Sequence, residues 1–251
     1  TMIHDTPSMT ISRRQSLLSA SAAGLTLLCP AVESAAQAAP DRKLKIGNVG
    51  CGGRGGFVAG DKGGARTTSL IRWFVRKYNV NMAEAANPDP RSYATFNDFF
   101  TRALRDGARP LAEADFVCPV DGAVSQCGAI EGDRILQAKG HSYSVQAMVG
   151  GDTRLAALFE QGEFATVYLS PKDYHRIHMP CDGRLVRMIH VPGDLFSVNP
   201  TTARGVPGLF ARNERVVCVF ESAAHGPFVL ALVGATIVGS MATVWHGLVN
   251  P

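Results

Sequence analysis

Residues 216–238 read Val216-Val-Cys-Val-Phe220-Glu-Ser-Ala-Ala-His225-Gly-Pro-Phe228-Val-Leu-Ala-Leu-Val-Gly-Ala-Thr-Ile-Val238. Two apolar, β-branched and aromatic runs stand either side of a Gly-Pro break, which is the pattern of strands. Working outward, the same pattern recurs from Phe116. Further strands are expected at Phe116–Val120, Ala123–Ile130, Phe164–Ser170, Leu185–Val191 and Thr243–Val249. Gly and Pro punctuate them at fairly regular spacing. A short helix is expected over Thr153–Glu160.

Upstream of Phe116 the period changes. Leu70, Ile71, Phe74, Val75 and Tyr78 recur at helical spacing, with Arg72, Arg76 and Lys77 between them. This predicts a short basic amphipathic helix, which serves either a core or a membrane surface. Thr95-Phe-Asn-Asp98 opens a second helix in the manner of a capping box. Phe96, Phe99, Phe100 and Leu104 lie along one side of it. The expected fold is α+β: short N-terminal amphipathic helices, then a mainly antiparallel β sandwich or barrel-like domain.

The chain has 251 residues, enough for one domain with a substantial core, and it is 46% hydrophobic. That excludes intrinsic disorder. The net charge is +4. Residues 1–70 hold 8 Lys/Arg against 4 Asp/Glu, whereas residues 71–251 hold 17 of each. The basic excess therefore belongs to the first segment. Six cysteines show no C-x-x-C pair and no zinc-like spacing, so free thiols and no metal are expected.

The first segment has its own motifs. Arg13-Arg14, an apolar run to Cys29 and Ala36-Gln37-Ala38 form a twin-arginine-like leader over residues 1–39. Residues 40–58 carry a strand pattern running into Gly50-Cys-Gly52-Gly-Arg-Gly55, a G-x-G-x-x-G match. Together they resemble the start of an exported NAD(P)-dependent oxidoreductase of the glucose–fructose oxidoreductase type. The rest of a dinucleotide-binding unit is missing, because Lys62–Trp73 holds no acidic residue and no second strand follows. A truncated fragment is expected.

Three stretches of the second segment can carry chemistry. Pro119-Val-Asp121-Gly puts a carboxylate in a turn. His175 and His178 stand three apart in a loop after a strand. Pro192-Gly-Asp-Leu-Phe-Ser197-Val-Asn199 is a polar turn. An imidazole can move protons near neutral pH, and a carboxylate beside it can fix its tautomer. Two histidines in a loop are more often structural, or one half of a metal site.

Residues 59–251 resemble the bacterial, membrane-associated, pyruvoyl-dependent phosphatidylserine decarboxylases. The resemblance rests on an ordered series. It runs through Phe96-Asn-Asp-Phe-Phe100, Arg102-Ala-Leu-Arg105, Pro119-Val-Asp-Gly122 and Gln137-Ala-Lys-Gly140. It continues through Tyr168-Leu-Ser-Pro-Lys-Asp-Tyr-His-Arg176, His178-Met-Pro180 and Val191-Pro-Gly-Asp-Leu-Phe-Ser-Val-Asn199. It ends with Leu209-Phe-Ala-Arg-Asn-Glu-Arg215 and Val233-Gly-Ala-Thr-Ile-Val-Gly-Ser240. The resemblance implies a proenzyme that cuts itself at the serine of a Leu-Gly-Ser-Thr motif. That serine becomes a pyruvoyl group on a small α chain. By the resemblance, Asp121 and His178 activate the serine, and His175 handles protons around decarboxylation. Ser197 and Asn199 line the substrate site. The implied partners are phosphatidylserine, a membrane surface and the α chain, with a homo-oligomer also compatible and no nucleic acid. The implied place is the cytoplasmic side of the cell membrane, which conflicts with an export leader.

No Leu-Gly-Ser-Thr occurs in the 251 residues. Gly239-Ser240 precedes Met241 and reads as a strand position. The chain therefore reads as most of a β chain, truncated before the processing serine and silent alone. The alternatives are an exported oxidoreductase fragment or a non-catalytic chimeric remnant.

Overall fold

The computed structural model describes residues 2–4, 9–11, 14–20, 24–29, 45–49 and 64–249, except 139, 237 and 240. The first five strands lie early in the chain: β1 (Met2–His4), β2 (Met9–Ile11), β3 (Arg14–Ala20), β4 (Gly24–Cys29) and β5 (Lys45–Val49). Helix α1 (Ala65–Tyr78) buries Thr67, Ile71 and Phe74 and leaves Arg72, Trp73 and Arg76 exposed. Helix α2 (Phe96–Phe100) starts at the expected cap. Thr95 Oγ1 accepts from the Asp98 N–H at 3.0 Å, and Asp98 accepts from the Thr95 N–H at 2.9 Å. Phe74, Phe96, Phe99 and Phe100 meet as one aromatic cluster, with the Phe74 and Phe96 rings 5.0 Å apart.

The remaining elements are β6 (Ala123–Ala129), β7 (Arg134–Ala138), β8 (His141–Ser144), α3 (Val145–Met148) and α4 (Thr153–Ala157). Then come β9 (Glu163–Tyr168), β10 (Gly183–Val191), α5 (Pro200–Gly205), α6 (Leu209–Arg212), β11 (Arg215–Ser222) and β12 (Gly226–Val233). The chain closes on β13 (Met241–Thr243) and β14 (Gly247–Leu248). The main sheet has eight strands in the order β1-β10-β11-β12-β4-β9-β6, with β2 also on β10, and every pair is antiparallel. A second sheet runs β14-β13-β3-β5, with β3 and β5 parallel. Strands β7 and β8 form a separate hairpin.

The apolar alternation of the opening stretch places the core. Val217, Val219, Val229, Ala231 and Val233 face one side of the sheet. There they meet Ile71, Phe74, Phe99, Phe100, Met148 and Phe210. Val216, Cys218, Phe220, Phe228, Leu230 and Leu232 face the other. Those meet Ile177, Met179, Val120 and Met241. A strand that alternates between two apolar layers is apolar throughout, which is why its sequence is a continuous run.

Four expectations are corrected. Thr243–Val249 is not one strand, because Thr243 ends β13, residues 244–246 turn, and Gly247–Leu248 pairs back on it as β14. The domain is not barrel-like: the main sheet is open, running from β1 at one edge to β6 at the other. Phe116–Val120 is not a strand. Pro119 lacks an N–H, so only isolated backbone bonds form there, Val117 N–H to Pro180 O at 2.9 Å and His178 N–H to Pro119 O at 2.8 Å. The run Phe228–Val238 stops at Val233. Gly234 begins a tight reversal in which Ala235 and Val238 bond each other's backbone, and a Cβ at Gly234 would stand 2.9 Å from the Val238 carbonyl.

Of the leader, residues 1, 5–8, 12–13, 21–23 and 30–39 lie outside the described residues, and Arg14–Ala20 and Gly24–Cys29 are strands. Lys45–Val49 is a strand, and the glycines at 50–56 lie outside the described residues, as does Ser240.

Candidate active site

The site grows from two backbone clips. The Pro119–His178 and Val117–Pro180 bonds hold the 170–180 loop against the turn that carries Asp121. Gly122 has φ +147, and a Cβ there would stand 2.4 Å from the Tyr168 carbonyl. Only glycine lets Asp121 sit so close to the end of β9. The loop itself is closed by Asp173, whose N–H donates to Ser170 O at 2.9 Å and whose carboxylate accepts the Ser170 N–H at 2.6 Å.

Asp121 accepts from Arg109, with Nε 2.9 Å from Oδ1. The same guanidinium donates to Glu84 at 2.7 Å. These two carboxylates, Asp121 first, hold the Arg109 pKa above its ordinary value. The His178 Nε2 lies 3.2 Å from the Tyr174 hydroxyl. Burial pushes His178 down to about 4, Arg176 and Arg109 push the same way, and Asp121 pushes back. Asp121 thus acts on His178 through space, but among the described residues no hydrogen bond joins them. Tyr174 is buried, which raises its phenol above the ordinary value.

His175 is buried, its ring 4.1 Å from that of Phe100. Its Nδ1 is 2.8 Å from the Asp173 carbonyl. A carbonyl only accepts, so Nδ1 carries the proton and Nε2 keeps a lone pair. Burial pushes this imidazole, too, down to about 4.

Asp121 and Tyr174 open onto a cleft of about 220 Å³. Arg102, Arg109 and Lys172 bring three cations to it, and Glu84, Asp121 and Asp173 three carboxylates. Arg102 is buried, and its Nε has no hydrogen-bond partner among the described residues. A buried guanidinium N–H without an acceptor is costly, and an incoming carboxylate or carbonyl would relieve it.

The site residues expected from sequence are thus split. Asp121 lines the cleft, His178 sits behind Tyr174, and His175 is packed under Phe100. Ser197 and Asn199 are elsewhere. Asn199 donates to Ser197 Oγ at 2.9 Å and caps α5 through the Thr202 N–H at 2.9 Å. Arg109, Glu84 and Tyr174 were not singled out by sequence reasoning. Tyr174 sat within a quoted motif without a role. Arg109 has no pattern around it that could have marked it.

The sequence profile of the phosphatidylserine decarboxylase family matches residues 96–248, which include Arg102, Arg109, Asp121 and the whole 170–180 loop. The chain belongs to that family. It is 77% identical over 195 residues to a phosphatidylserine decarboxylase proenzyme of Herminiimonas arsenicoxydans, covering 78% of this chain and 66% of that one. The proenzyme of Dechloromonas aromatica (strain RCB) is 74% identical over 196 residues, covering 78% and 69%. That of Variovorax paradoxus (strain S110) is 77% identical over 196 residues. The chain thus spans about two thirds of the length of these curated relatives. The oxidoreductase resemblance of residues 12–56 finds no support among them. Among the described residues, no helix of this family member is long and apolar enough to cross a membrane.

Proposed function

We propose that the chain supplies the β part of a pyruvoyl-dependent phosphatidylserine decarboxylase, which releases CO₂ and leaves phosphatidylethanolamine. The observation that carries this reading is the cleft: three cations and three carboxylates around an orphaned Arg102 Nε, within the family-matched segment. A serine phospholipid headgroup carries a carboxylate, an ammonium and a phosphate. Mixed charge of this kind suits it better than a cleft of one sign. A pyruvoyl group, when bound, supplies the electron sink for loss of CO₂. The residues present fit it, because Arg102 offers a buried N–H to a carboxylate or carbonyl.

The chain's own residues bind and position. Arg102 and Lys172 attract the anionic groups. Arg109 grips Asp121 at both oxygens and fixes its direction. Burial keeps His175 and His178 neutral near pH 7, so each is a proton acceptor rather than a cation. Asp121 and His178 are assigned to activation of the processing serine, and the lone pair on His175 Nε2 to proton handling around decarboxylation. The serine itself comes from outside these 251 residues, which contain no Leu-Gly-Ser-Thr. Trp73, Arg72, Arg76 and Lys77 on the exposed side of α1 are assigned to the membrane surface, where an aromatic ring and cations suit anionic headgroups.

The test has two arms. The 251-residue chain, expressed as it stands, is assayed for CO₂ from phosphatidylserine vesicles, and no turnover is expected. A hybrid continuing past residue 251 with the sequence of the Herminiimonas arsenicoxydans relative is expected to cut itself and release CO₂. Asp121→Asn in that hybrid should leave it uncut. Turnover by the 251 residues alone would remove the pyruvoyl requirement, and a cut hybrid without turnover would remove the decarboxylase reading.

A further inference from the structure

Strand β4 is out of place in the sheet. It lies between β12 and β9, far from both in sequence. Leu28 is opposite Val229 on one side and Phe164 on the other, and Thr26 is opposite Ala231 and Thr166. Both acceptor strands fall within the family-matched residues 96–248, and the donor falls outside them. The donor nevertheless sits in the middle of the core. Thr26 and Leu28 are fully buried, Leu28 among the residues of one apolar layer and Leu27 against the other. The Thr26 and Thr166 hydroxyls lie 3.4 Å apart.

The slot is a demanding one. Each acceptor is already paired on its far side, β12 with β11 and β9 with β6. Both are antiparallel to β4, so they run parallel to each other across a gap of about 10 Å, two strand spacings. Val229 to Val233 are fully buried. An empty slot would leave two rows of backbone N–H and C=O groups unpaired and both apolar layers open. Residues 24–29 lie outside the family-matched segment, and about a third of the Herminiimonas arsenicoxydans relative's length lies outside its match to this chain.

We propose that the gap between β9 and β12 is a strand-acceptor site for the α chain, and that Gly24–Cys29 occupies it as an internal plug that excludes that strand. The identity of the α chain rests on the decarboxylase reading. The acceptor chemistry does not: it calls for an extended, uncharged and mainly apolar segment, as Gly24-Leu-Thr-Leu-Leu-Cys29 is, with one hydroxyl at the position facing Thr166.

Amide hydrogen exchange tests this in the full chain and in Thr26→Pro, which a central strand cannot accommodate. Amides of 163–168 and 229–233 should exchange about tenfold faster or more in the variant. A synthetic peptide of residues 22–31 should restore their protection. So should the stretches of the Herminiimonas arsenicoxydans relative that the match leaves out, made as separate polypeptides, and at lower concentration in the variant than in the parent. Unchanged exchange in the variant would overturn the plug. Failure of the relative's stretches to protect either strand would overturn the α-chain site. Should Thr26→Pro not fold, a chain with a protease site placed within residues 36–40 is cut instead, and labelled 22–31 peptide is added. Exchange of label into the sheet supports the slot, and its exclusion in mild urea overturns it. None of these readouts is turnover. Protection restored by the relative's stretches therefore bears on the slot alone, and the decarboxylase reading stands or falls separately, on turnover by the self-cutting hybrid.

Discussion

Acidification should destabilise this fold through two rings of one loop. His175 and His178 both have pKa values pushed down by burial from 6.5 to about 4. As pH falls, the unfolded chain takes up these protons first, so stability present above pH 6.5 is lost as pH drops through that value toward 4. Between about pH 7 and pH 5 each ring should cost about 2 kcal/mol, and the pair about 4, a large share of a typical domain's stability. Urea unfolding, followed by fluorescence of Trp73 and Trp245, measures this at each pH. Carboxylates titrate over the same range, so the decisive comparison is with His175→Gln and His178→Gln. The first keeps an N–H for the Asp173 carbonyl, and neither replacement can gain a proton. Each should flatten the pH dependence by about 2 kcal/mol. A variant whose pH slope equals that of the parent would refute the assignment of a buried neutral imidazole at that position.

Gly122→Ala should destabilise by about 1–3 kcal/mol from backbone strain alone. It should also disturb pairing of β6 with β9, because its Cβ meets the Tyr168 carbonyl at 2.4 Å. Thermal unfolding and amide exchange at 123–129 check both, and an unchanged melting temperature would count against the φ +147 turn. Phe99→Ala should cost about 3–5 kcal/mol. Phe99 is fully buried and touches the Phe74, Tyr93 and Phe96 rings. A urea midpoint shift equivalent to less than about 1 kcal/mol would mean that the aromatic cluster is not part of the core.

The central strands were legible because burial on both faces leaves a direct trace in sequence. Val216–Phe220 and the first half of Phe228–Val238 are runs with no polar alternation, and the structure packs them between two layers. The α2 cap was legible because Thr95 and Asp98 satisfy each other locally. Closure of the sheet was not legible. Whether strands form a barrel depends on which edges meet, and β1, β2 and β4 enter this sheet from the first 30 residues. The site was legible only in part. Asp121 and His178 were brought together by resemblance, and the clips at Pro119 and Val117 give the physical reason they are neighbours. Arg109 reaches Asp121 across twelve residues of turn and loop. No periodicity links the two positions, so no pattern could announce the pair.

Strand β9 joins the cleft to the slot. On one side it pairs with β6, which begins at Ala123, two residues after Asp121. At its end, Tyr168 presses its carbonyl against Gly122 and leads into the loop that carries Tyr174, His175 and His178. Its other side is the slot, which β4 fills from Glu163 to Tyr168. Asp121 and the histidine loop are therefore both anchored to one strand, and that strand is held in the sheet by whichever segment lies beside it. The charge pattern agrees with this division. The net +4 of the chain sits in its first 70 residues, whereas residues 71–251 balance at 17 of each sign, and the cleft gathers three of their cations. On the proposed reading, recognition of an anionic headgroup is local to Arg102 and Lys172 at the cleft, with Arg109 holding Asp121, rather than a matter of overall charge.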